Sequence, residues 1–138
     1  MTDQSPGTIL HVEDERPVRE AMALLLRGEH YQVLGAAAAG EALQLAHEGL
    51  RPDVLIVDYD LGEGMNGAEV AQQLRRTLGY SPPILMLTGD PASAEVPWIT
   101  DAPIWLARKP LNPRLLLAAL PGLVQLSRRM REVPRAGS

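Results

Sequence analysis

Cysteine is absent from the 138 residues. No disulfide and no thiolate metal site can therefore form, a composition that fits a reducing compartment. Long apolar runs are missing too: no window approaches the roughly 18 residues of a membrane span. The first residues, MTDQSPG, have no basic segment followed by an apolar core. A cytoplasmic protein without membrane insertion is the expectation. An excess of positive charge is also lacking, because 13 Lys and Arg stand against 17 Asp and Glu, for a net charge of −4. Without a general basic surface of the kind phosphate backbones attract, no direct nucleic-acid binding is expected. Lysine itself is almost absent. Lys109 is the single one, and every other cationic side chain is an arginine.

What is present is aliphatic: 46% of the residues are hydrophobic, enough for one domain over residues 1–138 with a real core at about 8–130 and flexible ends. Short aliphatic runs alternate with helical patterns. This alternation predicts an α/β fold, a parallel sheet covered by helices on both faces. Strands are predicted at 8–12, 31–36, 54–57, 84–87 and 104–107. Between the first two, Val18, Met22, Leu25 and Leu26 fall on one face of a helix entered through Pro17. A second helix at about 40–48 stops at Gly49, and a third starts near Gly67 and buries Val70, Leu74 and Leu78. Between the last two strands, Asp90-Pro91 opens a helix that Pro97 and Pro103 leave only a turn or two. The final helix, from about Pro113, carries Leu116, Ala119, Leu120 and Leu123. Pro121 within it removes a backbone bond and crowds the preceding turn, so a kink or break is expected there.

The stretch VLIVDYDLG at Val54–Gly62 joins a strand buried on both faces to two carboxylates one residue apart. In open parallel sheets, ligand chemistry collects beyond the carboxyl ends of the strands. The unusual polar residues fall there: Glu13-Asp14-Glu15 after strand one, Asp58 and Asp60 after strand three, Thr88-Gly89-Asp90 after strand four, Arg108-Lys109-Pro110 after strand five. Carboxylates gathered in one place repel, so such a site needs a cation. Oxygen donors without sulfur point to Mg²⁺, with Mn²⁺ as a substitute. A compact ammonium such as that of Lys109 suits a point contact with phosphate or carboxylate. His11, His30 and His47 show no ligand spacing and are assigned to packing or to the surface.

Together, ILHVEDE, LIVDYDLGEGMNG, PILMLTGD and RKP, in this order and spacing, resemble the receiver domain of two-component response regulators. The resemblance implies a flavodoxin-like (βα)5 doubly wound sheet of strand order 2-1-3-4-5, as in chemotaxis regulators. It also implies that Asp58 is the phosphoacceptor, taking a phosphoryl group from a phosphohistidine on a histidine kinase or histidine phosphotransfer protein. Asp14 and Asp58 would bind Mg²⁺ directly, Glu13 through water, and Asp60 through its backbone carbonyl. Thr88 and Lys109 would each contact a phosphoryl oxygen. A downstream protein target would read the phosphorylated state. The TGD and RKP wording and the proline-rich fourth segment look more like receivers attached to hybrid histidine kinases than like transcription-factor receivers.

The sequence departs from that pattern in four places. Asp58 to Gly67 is one residue longer than usual, and Gly62 stands where proline is common, which predicts a looser loop. Asp60 and Asp90 occupy the two positions that tune loss of the phosphoryl group. Leu106 replaces the switching Tyr or Phe, with Trp98 and Trp105 as possible substitutes. The prolines around the last strand predict a remodelled output face. An alternative from the DYD motif is a haloacid-dehalogenase-like phosphatase using Asp58 and Asp60. That family needs metal-binding acids downstream of the lysine, and only Glu132 lies there. A third reading is a receiver-like binding module that is not phosphorylated.

Overall fold

Parallel pairing organises the computed structural model, which describes residues 5–62, 65–93 and 103–132. The strands β1 (Thr8–Val12), β2 (Gln32–Ala36), β3 (Val54–Asp58), β4 (Ile84–Thr88) and β5 (Ile104–Arg108) form one sheet in the order β2-β1-β3-β4-β5. Strand β1 pairs with β2 and β3, so the order reverses direction beside β1, and a crevice opens at that point. The helices are α1 (Arg16–Gly28), α2 (Ala39–His47), α3 (Gly67–Leu78) and α4 (Pro113–Glu132).

Alternation along each strand sends side chains to two cores. On one face Leu10, Val12, Leu55, Val57, Ile84 and Met86 pack with Ala42 of α2 and with Val70 and Leu74 of α3. On the other, Ile9, Val54, Ile56 and Leu87 pack with Leu26 of α1 and with Leu116, Leu120 and Val124 of α4. Strand β3 is buried throughout, as its uninterrupted aliphatic run requires. Helix α3 begins with a capping box in which Asn66 accepts from the Glu69 N–H and Glu69 accepts from the Asn66 N–H.

Three expectations change. Helix α4 runs unbroken through Pro121. Leu116, Leu120, Val124 and Ser127 are buried on both sides of the proline, and this continuous stripe outweighs the roughly 3 kcal/mol that an interior proline costs. Asn112 starts the helix by accepting from the N–H groups of Arg114 and Leu115. The stripe includes Val124 rather than Ala119, which is exposed. Val18 is exposed as well, at 42%, while Arg19, Met22, Ala23 and Leu25 are half-buried and Leu26 is fully buried. Between β4 and β5 a 3₁₀ turn spans Pro91–Ser93; the remainder of the proposed helix there, with Trp98, lies outside the described residues.

At the base of the sheet, Asp53 accepts from the Thr8 N–H at 2.9 Å and pairs with Arg131, with Arg128 at 3.6 Å. Tyr80 donates to the Pro52 carbonyl at 2.7 Å and carries the guanidinium groups of Arg51 and Arg131 over its ring. This cluster fixes the C-terminal end of α4. At the edge strand β5, Trp105 is 44% exposed. It lines a groove of about 550 Å³ with Leu85, Leu115, Leu116 and Leu123. Trp105 therefore faces α4, whereas Leu106, one residue on, points to the opposite face. Trp105 does not stand in the place of a switching aromatic at 106.

Candidate functional site

Backbone hydrogen bonds carry the ladder one residue past the strand ends. Glu13 N–H donates to the Ala36 carbonyl at 2.9 Å, Tyr59 N–H to Leu87 at 2.7 Å, and Lys109 N–H to Thr88 at 2.9 Å. Glu13, Asp58, Thr88 and Lys109 are thus held by the sheet rather than by loose loops, and their mutual positions are set by strand register. Lys109 is followed by a cis peptide bond to Pro110.

Glu13, Asp14 and Asp58 each offer a carboxylate oxygen, and these oxygens lie within 4.8 Å of one another. Glu13 and Asp58 are buried, and Asp14 is exposed. Asp58 Oδ1 accepts from the Asp60 N–H at 3.0 Å, and Oδ2 accepts from Lys109 Nζ at 2.6 Å. Glu13 Oε2 accepts from the Glu15 N–H at 3.1 Å, while Glu13 Oε1 is buried with no partner. An orphaned carboxylate oxygen is costly unless something positive meets it. Three hard-oxygen donors with one orphan fit a divalent cation such as Mg²⁺ or Mn²⁺. Asp60 touches the cluster through its N–H. Thr88, 2% exposed, accepts from the Asp90 N–H at 3.1 Å on its hydroxyl oxygen. Its hydroxyl proton remains available as a donor.

The electrostatics follow. Burial raises the Glu13 pKa to about 7, with the Asp58 charge and a hydrogen bond that the protonated carboxyl donates to Asp14 adding to it, against the Glu15 N–H and Lys109. Burial works against the Lys109 charge. The hydrogen bond and charge of Asp58, with Glu13 and Asp60, outweigh it and raise the Lys109 pKa. Glu13, with a pKa of about 7 in the metal-free fold, holds a proton that the unfolded chain has already lost from about pH 4.5 upward. The native state binds the extra proton, so this group's contribution to metal-free stability falls as pH rises from about 4.5 to 7. A cation must displace the same proton. Mg²⁺ affinity is expected to be level above about pH 7 and to weaken by up to tenfold per unit below it, measured by calorimetry from pH 8 to pH 5. A flat profile would place Glu13 away from the ion.

Every proposed site side chain thus lies on one sheet edge. The expected looseness of the loop after Asp58 concerns residues 63 and 64, which lie outside the described residues. Its ends are fixed, with Gly67 N–H donating to the Tyr59 carbonyl at 2.8 Å. Gly62 lies against the site, and a Cβ there would stand 3.2 Å from Asp14 Oδ2. Sequence reading missed Arg19, whose Nη1 donates to the Glu13 carbonyl at 2.8 Å. Its six-residue offset onto a helix carries no motif. His11 is packed as expected, 1% exposed beneath the acids. Burial, then Arg19 and Lys109, lower its pKa to about 4, so it is neutral at pH 7.

Comparison with known proteins gives a consistent result. A family model described as the response regulator receiver domain matches residues 9–120. The phosphate regulon transcriptional regulatory protein PhoB of Pseudomonas aeruginosa is 35% identical over 124 residues, which cover 86% of this chain and 52% of that protein. The DNA-binding response regulator MtrA of Mycolicibacterium smegmatis is 33% identical over 111 residues, 80% of this chain and 47% of that protein. The chain thus spans about half the length of these curated relatives. Among solved structures, the receiver domain of the hybrid histidine kinase CckA superposes with a TM-score of 0.72 at 32% identity, covering 86% of this chain and 100% of that one. A CheY-like receiver domain protein from Methanospirillum hungatei gives 0.75 at 27% identity, with 88% and 96% covered.

Proposed function

Because the chain belongs to the response regulator receiver domain family, we propose that Asp58 is its phosphoacceptor and that Glu13, Asp14 and Asp58 hold Mg²⁺ for the transfer, with the Asp60 carbonyl as a further ligand. The observation that carries this reading is the pairing of buried Asp58 with the chain's single lysine at 2.6 Å, beside two further carboxylates.

In the proposed reaction a carboxylate oxygen of Asp58 attacks the phosphorus of a phosphohistidine on a kinase or phosphotransfer protein. The new O–P bond forms as the P–N bond breaks, and the electron pair leaves with the imidazole. Bound Mg²⁺ supplies positive charge to the transferred group. The sheet keeps Asp58 in line, which suits a reaction in which the protein mainly positions reactants and neutralises charge. Lys109, freed from Asp58 Oδ2 as the acyl phosphate forms, pairs with a phosphoryl oxygen. Thr88 donates its hydroxyl to another. Lys109→Met is therefore expected to slow phosphorylation about 10²- to 10³-fold, the usual cost of losing one charge-stabilising donor, checked by the rate of acyl phosphate formation.

The domain signals rather than turns over substrate, apart from its own phosphorylation and dephosphorylation. Residues 1–138 act as one receiver domain in the cytoplasm, without membrane insertion; no described helix is long and apolar enough to cross a membrane. The net charge of −4 supports a receiver without direct nucleic-acid contact, its output passing to a downstream protein. Incubation with acetyl phosphate and Mg²⁺, followed by intact mass, tests the proposal. One phosphoryl group per chain is expected, with no sustained hydrolysis of p-nitrophenyl phosphate. Sustained hydrolysis would favour the phosphatase, and no mass gain at all would leave the binding module.

A further inference from the structure

Glu13 is held at more points than a metal-site carboxylate in a flexible turn would be. Its N–H is bound by the Ala36 carbonyl and its own carbonyl by Arg19 Nη1, while Oε2 is bound by the Glu15 N–H. Oε1 alone is left, buried and unpartnered. Arg19 reaches the Glu13 carbonyl from the first turns of α1, where its own N–H donates to the Glu15 carbonyl at 3.0 Å. The guanidinium thus closes a short ring between the end of β1 and the start of α1, around Glu13 and Asp14.

Strand β2 is shaped to admit this side chain. Gly35 lies opposite His11 in the β1–β2 register. A Cβ at Gly35 would stand 3.0 Å from both Cγ and Cδ of Arg19. The aliphatic stem of Arg19 therefore lies where a side chain of β2 would project, and a larger residue at 35 has to push it aside.

We propose that Arg19 is a positioning residue for the divalent-cation site, fixing the main chain of Glu13 so that Oε1 faces the ion, and that Gly35 is the seat that makes this possible. The proposal rests on the reading of Glu13, Asp14 and Asp58 as cation ligands. Charge and position make opposite demands here. A guanidinium beside a cation site repels the ion, so if its charge were all that mattered, Mg²⁺ would bind more tightly once Arg19 was disturbed. Positioning requires weaker binding.

Two variants that keep every charge isolate the second effect. Arg19→Lys retains the cation without the planar fork. Gly35→Val leaves Arg19 intact but displaces its stem, and valine suits a strand better than glycine does. Mg²⁺ affinity of the full chain is measured by calorimetry at pH 8, and thermal unfolding is followed in EDTA. Both variants are expected to raise the Mg²⁺ Kd about tenfold, the lower range for loss of a group that orients a metal ligand. The Gly35→Val protein should unfold in EDTA at or above the wild-type temperature, which a merely structural role would not allow alongside weakened binding. The double variant should bind no worse than the weaker single one, since both break one clamp. Wild-type affinity in both folded variants would overturn the proposal alone. Wild-type protein without measurable Mg²⁺ binding would bring down the reading of the site as well.

Discussion

Asp58→Asn will give a folded protein that gains no phosphoryl mass from acetyl phosphate at saturating Mg²⁺. An amide oxygen is a far weaker nucleophile than a carboxylate, and no other acid in the cluster is placed to replace it. Glu13 has Oε2 committed to Glu15, and Asp14 is the exposed member. The fold itself should tolerate the change. Asn is isosteric, its oxygen still accepts from the Asp60 N–H, and one negative charge is lost from a crowded cluster. Glu13, relieved of the Asp58 charge that helps hold its pKa near 7, should titrate lower. Thermal unfolding in EDTA checks the first point, and retained phosphorylation of the Asn variant would sink the assignment of Asp58.

Gly67→Ala is expected to damage fold and site together. A Cβ at this first residue of α3 would lie 2.3 Å from the Asp58 carbonyl oxygen and 2.8 Å from the Tyr59 Cα. Both are backbone atoms, of the nucleophile itself and of the residue that follows it, so neither can rotate away. Either α3 retreats and loses packing by Val70 and Leu74, or the end of β3 moves. Forced overpacking of this kind costs about 3 kcal/mol at the upper end of its usual range, roughly 10 °C in Tm for a chain of this size. Whatever fraction stays folded should phosphorylate more slowly, because Asp58 is displaced. An unchanged Tm would show that the helix start has slack that the contact distances do not suggest.

The architecture was legible because its signals are local and repeated. Each strand is a short aliphatic run and each helix a stripe of period 3.6, so element order and the parallel sheet follow from pattern alone. Strand ends were legible to within a residue, since polar side chains mark where Asp58, Thr88 and Arg108 leave the core. The candidate cation ligands were legible for the same reason, as acids directly after aliphatic runs. What escaped was whatever depends on pairs distant in sequence or on tertiary balance. Pro121 breaks a helix by local rules, yet Leu116, Leu120 and Val124 pack on both sides of it and hold the helix straight through. Val18 fits the helical period but is left exposed by the fold, which period alone does not reveal. Arg19 and Gly35 matter to one another only because β2 lies beside β1.

The cluster of Asp53, Tyr80 and Arg131 gives α4 an unequal pair of ends. Its last turn is bolted to the floor of the sheet, while its first turn begins four residues after Lys109. A rod of twenty residues, about 30 Å long, is thus tied by charge at its last turn and by the apolar packing of Leu116, Leu120 and Val124 along the rest. Lys109 stands just before the end held by packing and the Asn112 cap, where Leu115 and Trp105 border the apolar groove.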